Sequence, residues 1–248
     1  MSDYSRSSCR NADVTGDVAV ETQRSIPALV VELRRTLSEA ADTHLAEPMA
    51  KYMKDVAPFF GVQSVARRSV TRSVVSEAQG LGEIDLFTFA FACFDEPERE
   101  LHYVALDTLR HRQKTLSETT LPLLRELVQT KSWWDTVDSL SGIVGAGVFR
   151  FPGWVRDIED WSTDSDIWIR RVSILHQLGR GDDTDLGRLE RVILANTDDK
   201  EFFIRKAIGW ALRDLAWRQP QTVRTFVELH RSALSPLSVR EATKNIGR

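Results

Sequence analysis

The strongest constraint on this chain is a repeat. The segments "IRRVS", "IRKAI" and "VREAT" begin at Ile169, Ile204 and Val239, so one apolar–basic pattern returns every 35 residues. One more step back of 35 residues reaches Trp134, at the start of "WDTVD". A fixed period in this range holds two helices and their turns. A single helix pair cannot bury its apolar face alone, so neighbours stack and the array curves. The expected fold is all-α: an α-α superhelix of the HEAT-like solenoid type. Its concave face takes one helix from each unit and forms a groove suited to an elongated partner.

The rest of the chain agrees. From Ile26, "IPALVVELRRTLSEAAD" places apolar residues three and four apart, which predicts a helix. "IDLFTFAFACF" has the length and position of a buried helix, and "GIVGAGVF" reads as a small-residue packing face or loop. The latter lacks GK[ST] and opens no βαβ unit, so it is not a phosphate loop. Residues 1–24 are polar and aperiodic and read as a flexible tail; residues 25–248 read as a single domain.

Composition excludes several chemistries. Cys9 and Cys93 lie far apart and form no CxxC pair, and the five histidines show no ligand spacing. No metal, disulfide framework or cofactor is expected. No apolar run approaches the roughly 18 residues of a membrane span, and the N-terminus lacks an apolar signal core. A monomeric, soluble, cytoplasmic protein is the expectation. The net charge is −3, yet residues 201–248 hold nine basic residues against four acids. Residues 51–75 hold five against one, while acids gather in "DIEDWSTDSD" and "GDDTD". Such segregation can give an acidic protein a positive face. The pairs Arg34-Arg35 and Arg67-Arg68 read as surface charge.

The repeat also sorts candidate residues. Arg170, Arg205 and Arg240 share one slot, and Asp166 and Glu201 stand four residues before the first two. That spacing predicts i,i+4 pairs and an architectural role. Arg171 lies outside this slot. In "TKSWWDTVDSL", Ser132 and Asp135 have capping-box spacing, and Trp133 is expected to pack. Trp134 and Asp138 share a helix face one turn apart, which would set a carboxylate beside an indole. Trp134 occupies a slot otherwise held by isoleucine and valine, which equally suits a core residue. The equivalents of Asp138 are Ser173, Ile208 and Thr243, so the repeat does not require an acid there. Trp210 and Arg213 share a second face, in slots held one unit earlier by Leu175 and Leu178.

Together, "YMKDVAPFFGV", "KSWWDTVDSL", "DIWIRRVSILHQL" and "EFFIRKAIGWALRDLAWRQP" resemble the AlkD-like DNA alkylation repair glycosylases, from about residue 27 to the C-terminus. The resemblance implies a groove that holds duplex DNA containing alkylated purines, and hydrolysis of their N-glycosidic bond without flipping the base. It implies Asp138, Trp134 and Trp210 as catalytic residues. It implies Arg171, Arg213, Tyr52 and Lys54 as DNA contacts, with Arg170 the competing alignment for Arg171. Two other outcomes are compatible: a relative specialised for bulky minor-groove adducts of natural products, or a non-catalytic scaffold.

Overall fold

The computed structural model describes residues 24–244 and residue 246. The tail expected over residues 1–24 therefore lies outside the described residues, except for Arg24. That residue is tied to Glu77 through its backbone N–H and its guanidinium.

Fourteen α-helices and no strand occur among the described residues. They run α1 (Ile26–Glu39), α2 (Thr43–Tyr52), α3 (Ser64–Val70), α4 (Arg72–Gln79), α5 (Glu83–Asp95), α6 (Arg99–Arg112) and α7 (Leu121–Gln129). Then follow α8 (Trp134–Arg150), α9 (Trp154–Asp160), α10 (Ile167–Leu175), α11 (Leu186–Leu194), α12 (Phe202–Ala216), α13 (Pro220–Leu229) and α14 (Pro236–Ala242). Helices α6, α8, α10, α12 and α14 pack each against the next and form one row of the superhelix. Helices α5, α7, α9, α11 and α13 alternate with them as the second row. "IDLFTFAFACF" forms α5, with Phe87, Phe89 and Phe94 buried, as its length predicted.

The 35-residue period is written into side-chain contacts as well as helix starts. Trp133, Trp168 and Phe203 stand one period apart and form a three-ring cluster, in which Trp133 also meets Phe203 at 5.0 Å. Their ring centroids are 5.8 Å apart from Trp133 to Trp168 and 5.0 Å from Trp168 to Phe203. Ile169 and Ile204, next in register, are fully buried. The core runs along the stack as two apolar clusters that meet at α10: Ile169 and Val172 close the first, Ile174 and Leu175 open the second.

"GIVGAGVF" lies inside α8, where its glycines permit close helix approach. A Cβ on Gly145 would stand 1.9 Å from the His176 carbonyl oxygen, and one on Gly147 would stand 1.9 Å from the Trp154 ring. Gly142, on the open side of the same helix, would meet nothing within 4 Å. Gly145→Ala is therefore expected to destabilise the fold by about 1–3 kcal/mol, because backbone must move. Gly142→Ala should be neutral or slightly stabilising, since alanine is the better helix former by about 0.5–1 kcal/mol. Thermal unfolding of the two variants side by side checks this.

Three local expectations are corrected. Ser132 and Asp135 do not form a capping box. Trp133 is the N-cap of α8, Ser132 Oγ donates to the Val128 carbonyl of the preceding helix, and Asp135 turns toward α6. Asp166 and Glu201 do not pair with Arg170 and Arg205. Asp166 instead caps α10 by accepting from the Trp168 N–H. Arg170 donates to the Asp164 carbonyl and to Asp199, and Arg205 donates to the Lys200 carbonyl. Both arginines thus anchor the loop before their own helix, which supports an architectural role by another route. Finally, Arg67 is not surface charge: it is buried, paired with Asp107 and set against the Tyr103 ring.

Candidate functional site

Asp138 lies one turn into α8, and Trp134 opens that helix. Neither is swallowed by the core: both are half-buried, so the isoleucine slot did not decide the fate of Trp134. The Trp134 indole meets the Tyr52 ring edge-on, with centroids 5.9 Å apart. Tyr52 ends α2 and is 70 % exposed, so this aromatic pair forms an open wall rather than a sealed one. Past Tyr52 the chain turns through Lys54 and Asp55, both in the left-handed region at φ +62° and +57°. Non-glycine residues there are strained, and two in succession give a sharp reversal. Lys54 is exposed at its tip.

Arg171 reaches Asp138 from α10. Its Nε and Nη2 donate to the two carboxylate oxygens at 2.8 and 3.0 Å, and its Nη1 donates to the Phe203 carbonyl at 2.6 Å. One buried guanidinium thus joins the starts of α8, α10 and α12. Such bidentate geometry is the strong form of an ion pair. Arg171 is only 4 % exposed, whereas Arg170 faces the Asp164 loop. Arg171 is therefore the partner of Asp138.

A second carboxylate pair lies one turn away and was not foreseen from the sequence. Asp135 receives Arg99 Nε and Nη2 at 3.0 and 2.6 Å and the Tyr103 hydroxyl at 2.6 Å. Arg99 also donates to the Lys131 carbonyl and to Thr136 Oγ1. Its signal was present: Arg99 stands one period before Trp134. The two aspartates respond oppositely to burial. Against the burial that would raise it, the hydrogen bonds from Arg99 and Tyr103 hold the Asp135 carboxyl below its ordinary range. For Asp138 burial wins, and the carboxyl is pushed up despite Arg171. The two neighbouring aspartates are thus held in different electrostatic surroundings, Asp138 by one arginine and Asp135 by an arginine and a phenol.

Helix α12, next but one to α8 in the same row, carries the other candidates. Lys206, Trp210, Arg213 and Trp217 are spaced as one stripe on its open side. Trp210 is half-buried: it packs on the second apolar cluster and keeps part of its surface open. Arg213 is not a free cation: its Nη1 donates to Glu241 at 2.6 Å. Lys206 and Lys244 converge on the same carboxylate at 3.2 and 2.9 Å. Hydrogen bonding from Lys244, with Lys206 assisting, depresses the Glu241 pKa to about 2. Three cations against one carboxylate leave a surplus of positive charge, suited to an anion.

The structure thus brings Tyr52, Trp134, Asp138 and Arg171 together. It places Trp210 and Arg213 on α12, two helices along the same row, and Lys54 in the exposed turn after Tyr52. Among the described residues, no group of three or more His, Cys, Asp or Glu could hold a metal ion, and no helix is long and apolar enough to cross a membrane.

A family model described as DNA alkylation repair enzyme matches residues 33–246. The chain is similar to the solved structure of a predicted DNA alkylation repair enzyme from Enterococcus faecalis. The two share 29 % identity at a TM-score of 0.77, over 84 % of this chain and 97 % of that one. It shares its fold with AlkD2 from Streptococcus mutans, at 16 % identity and a TM-score of 0.62, over 90 % of this chain and all of that one. The same holds for smu.31 from Streptococcus mutans UA159, at 15 % identity and a TM-score of 0.58, over 82 % of this chain and 99 % of that one. No curated protein matches the chain.

Proposed function

The chain belongs to the DNA alkylation repair enzyme family, of the AlkD-like kind, and on that premise we propose that it is a monofunctional DNA glycosylase. Its substrate is duplex DNA carrying cationic alkylated purines, N3-alkyladenine or N7-alkylguanine, and its reaction is hydrolysis of the N-glycosidic bond. The observation that carries this reading is the Asp138 carboxylate, held bidentately by Arg171 one helical turn after Trp134, whose indole meets the Tyr52 ring.

The chemistry needs little more. Alkylation at N3 or N7 leaves the purine positively charged. When the C1′–N bond breaks, its electron pair neutralises the base, so the leaving group needs no proton. The sugar left behind has oxocarbenium character. Asp138 stabilises that charge and orients a water, which adds to C1′ and sheds one proton, giving the free base and an abasic sugar. The indoles of Trp134 and Trp210 face the same developing cation, each worth about 0.5–2 kcal/mol. Arg171 positions Asp138. Phosphate contacts fall to Arg213 with its lysine neighbours and to Lys54. Such contacts fix the position of the duplex without reading its sequence. Because Tyr52 and Trp134 form an open wall, the damaged base can stay in the stack.

A duplex with one N7-methylguanine tests the proposal: the enzyme should leave an abasic site that alkali cleaves at that position, and a duplex left intact would reject it. Arg213→Ala should weaken duplex binding and flatten its dependence on log salt by about one unit. An unchanged slope would remove Arg213 from the phosphate contacts.

One observation favours a second substrate range. A cavity of about 990 Å3 opens between α2 and α3, lined by Met49, Met53, Phe59, Val65 and Ala66, and it reaches Tyr52. That volume far exceeds a methyl group and suits the apolar body of a bulky adduct. Val65→Trp should then slow excision of a bulky N3-adenine adduct and spare N7-methylguanine. Equal effects on both would leave the methylated purines as the substrates.

A further inference from the structure

The proposed catalytic residues occupy only one end of two solvent-facing stripes, one on α8 and one on α12. On α8 the open stripe continues from Asp138 through Gly142 to Phe149, and on α12 it continues from Trp210 through Arg213 to Trp217. Phe149 is 64 % exposed and Trp217 is 70 % exposed. An exposed aromatic alone is ordinary; what marks a contact surface is a contiguous patch rimmed by polar groups. Arginines accompany both. The Arg180 guanidinium lies over the Phe149 ring at 5.1 Å, and the Arg218 side chain follows Trp217 and rests on Gly181, the residue after Arg180. One band of aromatics and guanidinia thus crosses the far end of α8 and α12, bordered by the exposed carboxylates of Asp182 and Asp183 in the turn Gly181–Asp183.

At about 1.5 Å per helical residue, this band lies about 10 Å from Trp210 along α12 and about 16 Å from Asp138 along α8. The grooves of B-form DNA are about 6 and 12 Å wide. A step of this size carries a protein from one strand to the other. Exposed aromatics interleaved with arginine suit sugars, base edges and phosphates. Resting on the reading of this face as the seat of a duplex, we propose that Phe149, Arg180, Trp217 and Arg218 form a second contact band that grips the undamaged, complementary strand. The first band, with Asp138 and Arg213, takes the lesion strand.

This division is read by comparing two ligands. Binding is measured to a short duplex with one N7-methylguanine and to the lesion strand alone, for the wild type, Trp217→Ala, Trp217→Phe and Arg213→Ala. Trp217→Ala should weaken duplex binding about 10-fold and leave single-strand binding unchanged, with Trp217→Phe restoring most of the loss. Arg213→Ala should weaken both ligands. Unchanged duplex affinity in Trp217→Ala, or equal losses on both ligands, would overturn the assignment. Circular dichroism of each variant identifies a loss that comes from misfolding, and Trp217→Phe, which keeps the ring, then carries the test. Because binding alone is read, absence of base release by the wild type would count against the glycosylase reading and leave this one standing.

Discussion

Replacing Asp138 by asparagine is expected to lower the single-turnover excision of N7-methylguanine by about 10²–10³-fold, the scale on which loss of one aimed electrostatic group slows a reaction. Duplex binding should survive, because the role proposed for Asp138 is toward the sugar and not toward a phosphate. The amide keeps the shape of the side chain and its Oδ1 can accept one of the two Arg171 bonds, while its NH2 meets the other donor; an unchanged unfolding temperature then separates loss of charge from collapse. Burial adds a pH signature. The ionised carboxylate is the useful form, and burial pushes its pKa up. Excision should therefore fail as pH decreases, and the fall should begin above the ordinary aspartate range near 3.9. The single-turnover pH profile checks this, and a flat acid limb would mean that Asp138 is not the titrating group.

Arg99→Met should give the largest loss of stability among substitutions outside the reacting groups. Arg99 is 1 % exposed, and it holds Asp135 in place together with Tyr103. Without it a buried carboxylate is left largely uncompensated, which costs about 3–5 kcal/mol. In a domain of this size that is roughly 6–20 °C in unfolding temperature. The sign with pH is fixed. Asp135 titrates below its unfolded value, so its contribution is complete above the unfolded pKa and fades as pH falls through the folded one. The gap between Arg99→Met and wild type should narrow at acid pH. A gap independent of pH would assign the effect to packing of the arginine stem.

These two aspartates show what the sequence made legible. The 35-residue period gave the helical class, the stacking and the separation of Arg170 from Arg171. The i,i+4 spacing of Trp134 and Asp138 placed both on one face, where the structure has them. Lateral partners were harder to read, because Asp135 has two grammars. Spacing within its own helix suggested a cap, whereas its real partner lies in α6, one unit earlier. An ion pair across repeats becomes visible only when the register of neighbouring helices is known. Arg171 illustrates the same limit: its slot marked it as exceptional, but its burial against Asp138 depends on how closely α10 approaches α8. Gly145 permits that approach, and its reason is a carbonyl 31 positions further along the chain.

On the function proposed, Asp138 works with Trp134 and Trp210 to release alkylated purines as free bases. Mass spectrometry of the small molecules liberated from methylated duplex DNA tests it most directly. The wild type should release free N7-methylguanine and N3-methyladenine and leave abasic sites in equal number, with Asp138→Asn releasing neither on the same time scale. Methylated DNA that binds to the protein but yields no free base would contradict the account, as would equal release by the wild type and Asp138→Asn.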